Sequence, residues 1–112
     1  MNFPQEQIDE LKRISPDLRY AEEGGYPYFL LSQVELPDGC QPKKVDLLLC
    51  PKPKDGYQSR LFFPQVIGGA PTRNWNGHLR ALEKKWCAMS WAVSPNLRLA
   101  EALLVHLKAL RS

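Results

Sequence analysis

Between Asn74 and Trp91 the chain places one thiol (Cys87), one imidazole (His78), two side-chain amides (Asn74 and Asn76) and three tryptophans (Trp75, Trp86 and Trp91). These residue types suit acyl transfer. A cysteine can take an acyl group from a thioester, an imidazole can hold the proton that moves, and an amide N–H can meet the oxyanion. Because a thioester is already reactive, the thiol needs little activation, and Lys84 and Lys85 beside it are expected to lower its pKa by charge. Ser90, three residues after Cys87, is a hydroxyl to keep in view as an alternative nucleophile.

Each residue also has a plainer role. A cysteine between Trp86 and Met89 packs as a small hydrophobe. Asn-x-Asn-Gly is ordinary turn chemistry, and a lone histidine without a fixed partner is usually structural. The tryptophans read as core or corner aromatics, any exposed one being an anchor for a protein partner. His106, inside the last helical segment, carries no functional signal.

Composition narrows the classes. With 112 residues, 44% hydrophobic and 24% charged, the sequence reads as one domain spanning 1–112 with a sizeable core. No apolar run approaches the ~20 residues of a membrane span, and the first residues do not read as a signal peptide. A cytoplasmic protein is expected, with no membrane partner. Cys40, Cys50 and Cys87 are an odd number without a close pair, which argues against a disulfide framework and against zinc. Cys50 reads as core and Cys40 as a surface thiol. A net charge of +3 is too mild for a nucleic-acid partner. The bases Lys43, Lys44, Lys52, Lys54 and Arg60 read as solvated charge.

Periodicity supplies the frame. Ile8, Leu11 and Ile14 predict a helix over Pro4–Ile14, stopped at Ser15-Pro16. Leu18–Glu22, Tyr26–Leu36, Val45–Cys50 and a run from Leu61 predict four strands, with Gly24-Gly25 turning the first pair. Residues 68–94 are irregular, with two helical turns expected over Leu79–Trp86. Ser94 as N-cap and Pro95 at the first turn predict a closing helix, with Leu97, Ala100, Leu103, Leu104 and Leu107 on its core face. The expected class is α+β: an N-terminal helix, a four-stranded antiparallel meander and a C-terminal helix.

That order, with an irregular cysteine-bearing segment before the last helix, resembles the ubiquitin-conjugating (UBC-like) family. Val45-Asp46-Leu47-Leu48-Leu49, the proline-rich turn with Gly56-Tyr57, and Leu61-Phe62-Phe63 look like that family's strand, Tyr-Pro turn and following strand. Trp86-Cys87 followed by Trp91 and Pro95 looks like its active-site cysteine and Trp-x-Pro step. A divergent bacterial branch of the family is similarly short. The His-Pro-Asn element is absent, and Asn74-Trp75-Asn76-Gly77-His78 stands about where it should. The resemblance implies a carrier that accepts a ubiquitin-like protein on Cys87 from an adenylating (activating) enzyme and passes it to a nucleophile, without metal or organic cofactor. Asn74, Asn76 and His78 would complete its site. The alternative is an interaction module of the same fold without chemistry.

Overall fold

The computed structural model describes residues 3–69 and 74–111. Helix α1 (Gln5–Ile14) buries Ile8 and Leu11, while Ile14 lies at the surface. Ser15 is extended because it precedes Pro16. Its buried hydroxyl accepts the Ser32 N–H at 2.9 Å, tying the helix end to a strand.

Four antiparallel strands follow in simple order: β1 (Arg19–Glu23), β2 (Tyr26–Glu35), β3 (Lys44–Cys50) and β4 (Arg60–Phe62). Gly24 and Gly25 both have positive φ, as the two-residue turn between β1 and β2 requires. Phe29, Leu31, Leu47, Leu49 and Leu61 alternate onto the face that carries both helices. Tyr28, Leu48, Cys50 and Phe62 line the other face. Both faces of β3 are therefore covered, which is why its sequence is a nearly continuous apolar run.

The second face is covered by a hairpin of β5 (Gly77–Ala81) and β6 (Lys84–Ala88). This corrects the helical turns expected over Leu79–Trp86. Leu79, Leu82 and Trp86 are spaced as in a helix, but Leu82 and Glu83 adopt φ of 51° and 63° and reverse the chain. Ala81, Trp86 and Ala88 then point together onto the sheet, and the Trp86 indole donates to the Ala81 carbonyl at 3.0 Å. Burying the indole outweighs the strain of a tight turn without glycine. Of the irregular segment, 70–73 lie outside the described residues.

Helix α2 (Leu99–Lys108) begins later than Ser94-Pro95 predicts. Asn96 at φ 64° interrupts the chain, and α1 supplies the cap: Gln7 Oε1 accepts the Leu99 N–H at 3.1 Å. Glu101 accepts the Arg98 N–H at 2.9 Å, while Glu10 pairs with the Arg98 guanidinium at 3.0 Å. The buried stripe is Leu99, Ala102, Leu103, His106 and Leu107, turned from the expected face, so Leu104 is 53% exposed.

Candidate functional site

Cys87 is the fourth of the five residues of β6, beside the end of the main sheet. Its N–H and C=O are both taken up by Phe63, just past β4, at 2.8 and 2.7 Å. Its partner on the other side is His78 of β5. Since neither backbone group of Cys87 faces β5, Cys87 and His78 form the non-hydrogen-bonded kind of antiparallel pair. That pair brings Cα atoms to roughly 4.5 Å with both side chains on one side of the ribbon. The sequence therefore brings its thiol and its imidazole together through strand register, across a turn of two residues.

The pleat decides what else joins them. His78 and Arg80 share one side of the hairpin with Lys85 and Cys87, Arg80 standing directly opposite Lys85. Asn76 and His78 are exposed at a hollow of about 440 Å³ that also reaches Tyr57 and Gly77. Asn74 is exposed further back along the chain, where its carbonyl accepts the Ser90 N–H at 2.8 Å. Among the described residues no side-chain hydrogen bond joins Asn74, Asn76 or His78 to the thiol. Cys87 and His78 are thus paired by register, Asn76 shares a hollow with His78, and Asn74 is adjacent only through the backbone.

Cys87 is half-buried, whereas Cys40 and Cys50 are 1% and 0% exposed. Cys40 corrects the surface placement expected for it: it closes into the helix-side core, where the neighbouring Gln41 bridges Gly68. One accessible thiol remains. Its inner side packs on the helix-side core, where Trp75 meets the Phe63 ring edge-on at 5.4 Å. Trp86 faces the opposite cluster, so it does not wedge the thiol.

The electrostatic expectation for Cys87 is overturned. Burial pushes its thiol pKa up, and no lysine offsets this. Lys84 belongs to the other side of the pleat, with its ammonium 3.8 Å from Asp46, and Lys85 is exposed. At neutral pH the group is a thiol that must lose its proton during reaction.

Three polar residues that sequence reasoning passed over lie at the start of β4 and beside it, and one of them, Arg60, lines the same hollow as Asn76 and His78. Arg60, read as solvated charge, is 4% exposed. It meets Asp55 at 3.2 Å and the Met89 carbonyl at 3.2 Å, and it stacks over Tyr57 at 4.3 Å. Gly77 makes this possible, because a Cβ there would stand 2.5 Å from the guanidinium. Ser59 and His106 are also buried, with Oγ and Nε2 2.9 Å apart. Burial, and then the nearby Arg60 cation, pushes the His106 pKa down to about 4. The available signal was periodic: His106 lies seven residues after Leu99 and three after Leu103, on the core stripe of α2.

Among the described residues no cluster of three or more His, Cys, Asp or Glu side chains could hold a metal ion. Nor is any described helix long and apolar enough to cross a membrane. No family model, curated protein or solved structure matches the chain at a significant level.

Proposed function

We propose that the protein is an acyl carrier of the ubiquitin-conjugating kind, which holds the C-terminal acyl group of a ubiquitin-like protein on Cys87 as a thioester. The observation that carries this reading is the pairing of the one accessible thiol with His78 across the hairpin. Loading is a thioester exchange. The Cys87 sulfur forms a bond to the carbonyl carbon, the donor thiolate of the activating enzyme leaves, and His78 takes the Cys87 proton. In transfer an amine attacks the same carbonyl, the Cys87 thiolate leaves, and the amine's proton passes to His78. Asn76, which lines the same hollow as His78, is the first candidate amide donor to the oxyanion, and Asn74 the second.

The raised thiol pKa leaves little thiolate to attack and makes the sulfur a slower leaving group, so His78 must offset it by moving the proton. An unionised resting thiol resists adventitious oxidation and alkylation. No organic cofactor or metal is required, since ATP is consumed by the activating enzyme.

The second reading, a non-catalytic module that binds a ubiquitin-like or other protein through the same hairpin, is favoured by one observation: no hydrogen bond orients His78 toward the thiol. Mixing the protein with an adenylating enzyme, a ubiquitin-like protein and ATP separates the two. A reductant-sensitive adduct that disappears in Cys87→Ala and survives in Cys40→Ser and Cys50→Ser supports the carrier. Stable binding without an adduct supports the module.

A further inference from the structure

Helix α2 leaves one large apolar side chain outside the core. Leu104 stands at a groove of about 480 Å³ between α2 and the chain that follows β2. The floor and lips are apolar: Leu36, Pro37, Leu104 and Leu107. The two walls carry opposite charge. Glu35, the last residue of β2, and Asp38 belong to one wall, while Lys108 and Arg111, at and just past the end of α2, belong to the other. Among the described residues, Glu35, Asp38 and Arg111 form no ion pair.

This pattern specifies its own complement. An occupant must be apolar along its centre, basic where it meets the first wall and acidic where it meets the second. A second copy of the chain, turned about a twofold axis running along the groove, presents these features in that order. The rotation lays each acidic wall over the partner's basic wall and brings the two Leu104 side chains toward the axis. A twofold axis across the groove would instead place like charge on like. We infer that the protein forms a twofold dimer through this groove, with Leu104 at its centre and Asp38 of each copy facing Arg111 of the other. The groove is lined by residues of α2 and of the end of β2 and the connection after it, none of which belongs to the β5–β6 hairpin that carries Cys87. The inference does not depend on the carrier reading.

Sedimentation equilibrium on the intact protein tests it. The wild type should pass from a 12.8 kDa species to one of twice that mass as concentration rises. Leu104→Arg should remain monomeric with an unchanged circular dichroism spectrum, since the site is exposed in the single copy. Asp38→Arg alone and Arg111→Asp alone should each weaken the dimer by ~10-fold or more, and the two together should recover most of that loss. Recovery excludes a folding defect as the cause. A wild type that stays monomeric to ~1 mM would overturn the inference. A dimer that tolerates Leu104→Arg, or a double variant no better than the singles, would overturn it as well.

Discussion

Two histidines lie near the short strand β4, and they are held in opposite ways. His106 is 3% exposed, paired with Ser59 at 2.9 Å and kept neutral by burial beside the Arg60 cation. His78 is exposed on the hairpin, opposite Cys87, with no bond to fix its ring. The first is joined to neighbours that satisfy it, and its chemistry is confined to holding α2 on the sheet. The second keeps both ring nitrogens available beside an accessible thiol. A buried polar cluster must be satisfied or it destabilises the fold, so reactivity is left to the exposed pair.

That contrast can be broken first at the satisfied cluster. Asp55→Ala removes the carboxylate from a guanidinium that is 4% exposed, and denaturant unfolding should show a loss of ~3 kcal/mol, the low end for a buried pair because the Asp55 side chain is 51% exposed. A loss under ~1 kcal/mol would mean that the Met89 carbonyl and Tyr57 satisfy Arg60 unaided.

The pH dependence of stability should come next. His106 binds a proton at its ordinary value of 6.5 when unfolded but only at about 4 when folded. Its contribution is therefore complete above pH 6.5 and is lost as pH falls toward 4, by ~3 kcal/mol in all. His106→Asn should flatten that part of the curve, as measured by urea unfolding from pH 7 to pH 4. A wild-type curve that is flat over this range would contradict the assignment.

Gly77→Ala sharpens the comparison where the two meet, because Gly77 lies over Arg60 and precedes His78. The added methyl must displace a pinned guanidinium, at a cost of ~1–3 kcal/mol. The smallest effect belongs to the exposed histidine. His78→Ala should move Tm by less than ~3 °C, since an exposed side chain without partners contributes little to stability. A larger drop would show that His78 is structural after all.

The parts of this arrangement that sequence revealed are those governed by local pattern. The Gly24-Gly25 turn, the apolar run of β3 and the stop at Ser15-Pro16 each follow from residues within a few positions. The hairpin did not, because Leu82-Glu83 lacks the usual turn residues and Leu79, Leu82 and Trp86 imitate helical spacing. The start of α2 was hidden for a different reason: Gln7 and Glu10, some ninety residues earlier, supply the partners that Ser94 was expected to provide. Leu104 was misplaced with it. At the site, residue types pointed to Cys87 and His78, but their adjacency depends on a register that only the fold sets. The burial of Arg60 depends equally on distant Gly77.

The central claim is that Cys87 accepts an acyl group with His78 beside it, and intact-protein mass spectrometry against a glycine-terminated peptide thioester tests it most directly. One acyl addition is expected, mapped to Cys87 and removed by thiol reductant. The addition should be absent in Cys87→Ala and ~10²-fold slower in His78→Ala. An unmodified wild type, or an addition that persists in Cys87→Ala, would contradict it.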